Sequence, residues 1–152
     1  MATSTDRIEK EITLKAPRAR VWRALADARE FGAWFGVELE SAFAPGATVR
    51  GRITVSGYQD LPMEIVIVEM VPERRLSYRW HPYAIDPAVD YTHEEPTLVT
   101  FTLADAPGGG TRLTVVESGF DKVPPERRAE AFRMNGEGWT AQMQNIRRHV
   151  GA

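Results

Sequence analysis

Residues 63–80, MEIVIVEMVPERRLSYRW, contain the clearest indication of the fold. The first half, residues 63–71, is rich in β-branched side chains, which favour extended strands. The PERR segment at residues 72–75 follows, with proline at the position that suits the first central residue of a turn. Apolar and polar side chains then alternate again through residues 76–80. The stretch therefore predicts two antiparallel strands joined by a tight turn.

Similar alternation occurs on both sides of this hairpin. It predicts five further strands, at residues 7–15, 37–43, 48–55, 97–104 and 112–120. The last two are separated by the glycine-rich segment 105–110. That segment lacks the Lys-Ser/Thr pair of a phosphate-binding loop and leads into a strand rather than a helix, so we interpret it as a flexible hairpin.

Helical periodicity appears in three places. Pro17 suits the first position of a short helix, and Asp27 is predicted to cap a second one, with Glu30 as its capping-box partner. A long amphipathic helix follows residues 124 and 125, both prolines. Its predicted apolar stripe consists of Ala129, Phe132, Gly136, Trp139, Met143, Ile146 and Val150.

Two glycines interrupt the middle of this long helix. Gly136 and Gly138 each cost about 1 kcal/mol relative to alanine in a helix interior. The cost indicates close packing, room for a ligand, or a bend. The sequence alone leaves these three alternatives open.

The order of elements indicates an α+β fold. A strand, two short helices, six strands in hairpin succession and a long helix are typical of an antiparallel sheet covered by helices on one face. No repeat or linker divides the 152 residues. We therefore predict a single domain over residues 1–152, with its core at about residues 6–150.

Composition excludes several classes of function. The chain has no cysteine, which excludes disulfides, thiol catalysis and thiolate metal sites. Its net charge of −2 gives no electrostatic reason to expect nucleic acid or an anionic membrane as a partner. No secretion signal and no apolar stretch of membrane-spanning length is present, so a cytoplasmic protein is expected.

Several short motifs, in this order along residues 6–150, resemble one protein family. They are IEKEITLKAPRARVW at residues 8–22, Trp34-Phe35, Pro45-Gly46, PERRL at residues 72–76, TRLTVVESGF at residues 111–120, and Gly138-Trp139. The chain resembles the SRPBCC (START/Bet v 1-like) superfamily, in the branch related to the C-terminal domain of the Hsp90 ATPase activator. The resemblance implies a helix-grip fold, in which a curved antiparallel sheet surrounds the long C-terminal helix and leaves a cavity. Members bind lipids, hormones, polyketides or other apolar molecules, and some are cyclases or hydrolases.

Large side chains dominate the residues that we expect to line such a cavity, because small-molecule pockets are mostly apolar with a few polar groups. The candidate ligand-binding residues are Trp34, Phe35, Phe43, Tyr58, Tyr78, Trp80, Met134, Gly138, Trp139 and Gln142. The alternative for each large apolar side chain is ordinary core packing.

Four titratable residues are weak catalytic candidates. Glu64 and Glu117 share strand parity with apolar residues, and a carboxylate facing an apolar cavity can act as an acid, a base or a ligand anchor. His81 and His93 bracket a long aperiodic segment, residues 81–96, of the kind that often forms a lid or binding loop. Exposed, arginine-paired carboxylates and solvated histidines are the alternatives. The histidine spacing matches no metal-ligand motif, so we expect no metal and no cofactor.

Three functional hypotheses follow. The first is binding of an apolar small molecule, such as a lipid, polyketide or aromatic metabolite, between the sheet and the C-terminal helix. The second is a cyclase- or hydrolase-type enzyme that uses a cavity carboxylate or histidine. The third is a co-chaperone-like module that stimulates an ATPase, with a chaperone or a second copy of the chain as its protein partner.

Overall fold

The strands and helices follow one another in the predicted order in a computed structural model, which describes residues 6–59, 61–86 and 88–151. The strands are β1 (Arg7–Leu14), β2 (Val37–Leu39), β3 (Thr48–Ile53), β4 (Pro62–Val71), β5 (Arg75–Trp80), β6 (Thr97–Asp105) and β7 (Thr111–Ser118). The α-helices are α1 (Arg18–Ala26), α2 (Ala28–Phe35) and α3 (Pro125–Val150). None of the described helices is long and apolar enough to cross a membrane.

The seven strands form one curved antiparallel sheet in the order β1-β7-β6-β5-β4-β3-β2. From β2 to β7 each strand pairs with the next one along the chain. β1 instead pairs with β7, so α1 and α2 carry the chain from one edge of the sheet to the other. The α+β prediction and the helix-grip arrangement are confirmed.

Helix α3 packs against this sheet through its second half. Trp139, Met143 and Ile146 are buried, and the helix contacts β1, α1 and α2. Nearer the N-terminus the predicted stripe is wrong, because Ala129 is exposed and Ala131 is buried in its place. The error is small, since alanine is compatible with either environment and marks the apolar face poorly.

The predicted orientation of β4 is also wrong. Glu64 was expected to face inward with the valines of its parity, but the structure buries Met63, Ile65 and Ile67. Both faces of this strand are apolar along most of its length, so alternation could not identify the inner face. Glu64 is exposed and forms an ion pair with Arg50, at 2.8 Å.

Strand β2 ends earlier than predicted, at Leu39. Glu40 N–H still donates to the Arg50 carbonyl of β3 at 2.9 Å. Phe43 is buried in the core, where its ring lies 5.5 Å from that of Phe31. Burial of this aromatic side chain outweighs continuation of the short edge strand.

Side chains at the junction of α1 and α2 connect these two helices to α3. Asp27 accepts hydrogen bonds from the backbone N–H groups of Arg29 and Glu30, at 2.9 and 3.1 Å, as predicted for an N-cap. The Glu30 carboxylate does not complete the capping box. It accepts instead from Arg20 of α1 at 2.7 Å and lies 3.0 Å from His149 Nε2 of α3. This carboxylate therefore connects α2 to both other helices.

We expect the Glu30 contacts to make stability depend on pH. Burial raises the pKa of Glu30, but hydrogen bonds from His149 and Arg20 and the charges of Arg20 and Arg23 outweigh it, so the pKa is lowered below 4.5. A carboxyl group whose pKa is lowered by folding stabilises the fold at pH values above its unfolded-state pKa. This stabilisation is lost as the pH falls through the folded-state pKa. Glu30→Gln should therefore cost about 1 kcal/mol or less near pH 7. The difference from wild type should shrink below pH 4.5.

Urea unfolding between neutral pH and about pH 3 measures this difference. Glu64→Gln is the matched control, because its ion pair with Arg50 lies on the exposed outer face. If the difference in free energy of unfolding between wild type and Glu30→Gln stayed constant as the pH falls, the stabilising role of the ionised Glu30 carboxylate would be contradicted.

Candidate ligand-binding cavity

A cavity of about 450 Å³ lies between α3, the end of α2 and the segment that follows β5. Its wall also includes the last residue of β3 and the first residues of β4. The cavity is partly open to solvent, and the exposed Glu64 is one of its wall residues. Apolar and aromatic side chains make up most of the wall, with a few polar groups between them.

Three aromatic rings form one side of the cavity, and we call them the three-ring wall. Phe35 ends α2, Trp80 ends β5, and Trp139 lies in the middle of α3. The ring centroids are 5.8 Å apart for Phe35 and Trp80, 6.1 Å for Phe35 and Trp139, and 5.8 Å for the two indoles. Such spacing is typical of favourable aromatic contact. Each ring thus supports the other two while also facing the cavity.

Behind the two indoles lies the fully buried carboxylate of Glu117. Its Oε2 accepts from Trp80 Nε1 at 2.7 Å and from Thr97 Oγ1 at 2.5 Å. Its Oε1 accepts from Trp139 Nε1 at 2.8 Å and from Asn135 Nδ2 at 2.9 Å. An ionised carboxylate can accept all four bonds at once, and none of these partners carries a charge. The carboxylate therefore fixes the positions of both indoles from the side away from the cavity.

Tyr78 lies in the same interior region. It is fully buried, and its hydroxyl is the one buried side-chain polar atom in the described ranges that lacks a hydrogen-bond partner. Burial raises the pKa of Tyr78 well above 10, and the negative charge of Glu117 raises it further. The phenol consequently stays neutral at physiological pH.

The described residues of the segment after β5, 81–86 and 88–96, border the cavity and are attached to the start of α3. Arg127 Nε donates to the Glu94 carboxylate at 2.9 Å, and Arg127 Nη1 donates to the Pro82 carbonyl at 2.7 Å. The guanidinium carbon also lies 4.8 Å from the centroid of the Tyr91 ring. Only 19% of the Arg127 side chain is exposed. It therefore anchors the segment over the cavity.

Gly138 borders the cavity from the middle of α3. A Cβ atom built on it would have no neighbour within 4 Å, whereas one built on Gly136 would reach the Ile8 side chain at 4.0 Å. The two glycines thus differ, since Gly136 lies over β1 and Gly138 leaves open space in the cavity wall.

The predicted ligand-binding residues fall into two groups. The structure places five of them on the cavity wall: Phe35, Trp80, Gly138, Trp139 and Gln142. The others do not line it: Trp34, Phe43 and Tyr78 are buried in the core, and Tyr58 and Met134 are partly exposed elsewhere. Trp34 is held there by a hydrogen bond from its Nε1 to the Ala24 carbonyl at 2.8 Å.

The cavity wall also contains residues that sequence reasoning missed. Asn135 lies one helical turn before Trp139, on the same face of α3, and this spacing was a signal that could have identified it. Tyr83, Ile85 and Tyr91 reach the wall from the aperiodic segment, where no pattern indicated their direction.

The four catalytic candidates do not converge on one site. Glu64 lies at the exposed rim, and Glu117 lies behind the indoles with both oxygens occupied. His81 lies on the wall, with Nε2 3.0 Å from the Glu94 carbonyl, while the His93 side chain is 88% exposed beside Asp90. Across the parts of the chain that the structure describes, no group of three or more histidine, aspartate or glutamate residues is placed to hold a metal ion.

Solved structures share this architecture over nearly the whole chain. Protein MLL2253 from Mesorhizobium loti is 24% identical, with a TM-score of 0.74, and the alignment covers 95% of this chain and 96% of that one. DynU16, a putative protein in the dynemicin biosynthetic locus, is 25% identical with a TM-score of 0.70; the alignment covers 95% of this chain and 47% of DynU16. The Aha1 dimer from Colwellia psychrerythraea is 13% identical with a TM-score of 0.71 and 95% coverage of both chains.

Curated proteins offer no match to this sequence. The family model described as "Activator of Hsp90 ATPase homolog 1-like protein" matches residues 15–151. That match includes α1, α2, strands β2 to β7 and α3. The chain therefore belongs to the family of activator of Hsp90 ATPase homolog 1-like proteins.

Proposed function

We propose that the protein binds an aromatic small molecule in the cavity between the sheet and α3. The three-ring wall is the observation that carries this proposal. It presents one phenylalanine and two indoles to a space of about 450 Å³. That volume lies within the range of about 300–1,000 Å³ that is usual for small-molecule sites.

Gly138 supports the same proposal. A glycine in a helix interior costs about 1 kcal/mol relative to alanine. Local packing does not require it, because a Cβ atom would meet no neighbour within 4 Å. Room for a bound molecule accounts for this position, whereas Gly136 is better explained by packing, because Ile8 lies beneath it.

The segment after β5, described at residues 81–86 and 88–96, also fits a binding site. The segment adds Tyr83, Ile85 and Tyr91 to the wall. Arg127 attaches it through a charged and largely buried pair with Glu94. A molecule in the cavity would thus be enclosed by groups that are already in place, which lowers the entropy cost of binding.

Small-molecule binding is favoured over the two other hypotheses on specific grounds. An enzyme of the cyclase or hydrolase type needs convergent polar groups. Of the four candidates only Glu64 and His81 line the cavity, and Glu64 is exposed and paired with Arg50 at 2.8 Å. An ATPase-stimulating module is expected to have a filled interior and a contiguous exposed apolar patch. The cavity of about 450 Å³ does not agree with a filled interior. The likeness to DynU16, a putative protein in the dynemicin biosynthetic locus, agrees with a small-molecule ligand.

Titration with N-phenyl-1-naphthylamine, an uncharged aromatic fluorophore, tests the proposal. Its emission should rise on transfer into the cavity, saturate at one molecule per chain, and be excited through the indoles of Trp80 and Trp139. Absence of enhancement at high protein concentration would contradict the proposal. So would binding without energy transfer from tryptophan, since the probe would then lie away from the three-ring wall.

A further inference from the structure

The side-chain donors around the cavity are largely occupied by the protein itself. Trp80 Nε1 and Trp139 Nε1 both donate to Glu117. Gln142 Nε2 donates to the Phe35 carbonyl at 2.9 Å, and Gln142 Oε1 accepts from Asn145. The indoles therefore offer a ligand only their aromatic faces, and Gln142 is satisfied at both ends.

Asn135 presents an acceptor. Its Nδ2 donates to Glu117 Oε1 at 2.9 Å, and because the carboxylate oxygen already takes a second N–H bond from Trp139, the amide orientation is determined. Asn135 Oδ1 has no partner among the described residues, and it is not among the buried unpartnered atoms. Since Asn135 lines the cavity, this oxygen is accessible to a bound molecule.

His81 also leaves an acceptor. Its Nε2 lies 3.0 Å from the Glu94 carbonyl oxygen, which can only accept, so Nε2 carries the hydrogen. In the neutral imidazole the remaining nitrogen, Nδ1, is then an acceptor. Two residues of the wall, Asn135 and His81, thus each leave a hydrogen-bond acceptor, Oδ1 and Nδ1 respectively.

Charge on the wall has one sign. Glu64 and Asp86 belong to it, and no lysine or arginine does within the described part of the wall. The cations next to wall residues are already paired: Arg50 with Glu64, Arg127 with Glu94, and Arg133 with Glu137. A ligand anion would therefore lose its hydration without gaining a cationic partner, close to the buried Glu117 carboxylate.

We infer that the cavity selects aromatic molecules that donate a hydrogen bond and carry no negative charge, with Asn135 Oδ1 as the accepting atom. Phenols and aromatic amines have this chemistry, whereas fatty-acid and aryl carboxylates do not. The inference rests on the proposed function, because it specifies which ligand the same cavity accepts.

Three naphthalenes that differ in one substituent test the inference. 2-Naphthol donates a hydrogen bond, 2-methoxynaphthalene has the same ring without the donor, and 2-naphthoate is an anion at neutral pH. Their dissociation constants are measured by displacement of N-phenyl-1-naphthylamine from the wild-type protein. We expect 2-naphthol to bind about tenfold more tightly than 2-methoxynaphthalene, as a single hydrogen bond allows, and 2-naphthoate to bind most weakly.

Two variants test whether Asn135 is the origin of the preference for a hydrogen-bond donor. Asn135→Leu should bring the ratio between 2-naphthol and 2-methoxynaphthalene close to one, with binding of 2-methoxynaphthalene retained. Gln144→Leu is the control, because Gln144 is an exposed amide of the same helix that does not line the cavity. It should leave the ratio unchanged. The wild-type ratio tests the donor preference even where a variant folds poorly.

The possible failures are distinguishable. Equal affinity for 2-naphthol and 2-methoxynaphthalene, or tightest binding of 2-naphthoate, overturns the inference and leaves the cavity proposal standing. Binding of N-phenyl-1-naphthylamine that 2-naphthol does not displace would also overturn the inference and leave the cavity proposal standing. Failure of all four aromatic molecules to bind overturns the proposed function, and the inference with it.

Discussion

Replacing Glu117 with glutamine is expected to lower the free energy of unfolding by about 1–3 kcal/mol, the usual cost of one buried group left without its partner. The amide keeps one acceptor oxygen but turns an NH2 group toward donors. Near Oε1 both partners, Asn135 and Trp139, are N–H donors. Near Oε2 the Thr97 hydroxyl can rotate to accept, so the NH2 group should lie there and Trp80 Nε1 should lose its acceptor.

Urea unfolding measures the loss, and the indole N–H resonances locate it. The Trp80 resonance should shift strongly in Glu117→Gln, while the Trp139 resonance should remain close to its wild-type position. Glu117→Leu leaves all four donors without the carboxylate, so its cost should exceed that of Glu117→Gln. Glu64→Gln, on the exposed face, should cost about 1 kcal/mol or less. Equal stability of Glu117→Gln and wild type would contradict the bonding described for Glu117.

Replacing Gly138 with leucine should weaken binding of N-phenyl-1-naphthylamine at least about tenfold, since the new side chain occupies apolar volume that the ligand would fill. The fold should remain intact, because a Cβ atom at this position meets nothing within 4 Å. Loss of the mid-helix glycine should raise stability by up to about 1 kcal/mol. Opposite effects on binding and on stability are the expected result.

Ala141→Leu provides the matched control for this change. It introduces the same side chain into α3, at an exposed position that does not line the cavity. Its dissociation constant should equal that of wild type within about twofold, since a difference of about 0.4 kcal/mol or less is expected away from the site. Equal weakening by both leucines would place the bound probe outside the cavity, and unchanged affinity in Gly138→Leu would do the same.

Local periodicity was sufficient to predict most of the fold. The hairpin of β4 and β5 and the long helix α3 contain regular patterns that do not depend on distant residues. Strand β7 alternates cleanly, so the inward direction of Glu117 followed from the apolar residues of its parity. Strand β4 carries apolar residues on both faces, which is why its orientation was predicted incorrectly.

Tertiary contacts explain what the sequence could not show. The four donors to Glu117 come from β5, β6 and α3, and no local pattern pairs them with a carboxylate on β7. Arg127 had the sequence context of a solvated helix residue, yet its bonds to Glu94 and Pro82 attach a segment far away along the chain. The members of the three-ring wall were predicted as candidates, but their mutual contact depends on how α2, β5 and α3 meet.

Intermolecular nuclear Overhauser effects test the central claim most directly. With N-phenyl-1-naphthylamine bound to the isotope-labelled protein, its naphthyl protons should show contacts to the indole protons of Trp80 and Trp139 and to the α-protons of Gly138. Contacts confined to the outer face of β4, where Val66 and Val68 are exposed, would contradict the account. A saturated complex without contacts to either indole would contradict it equally.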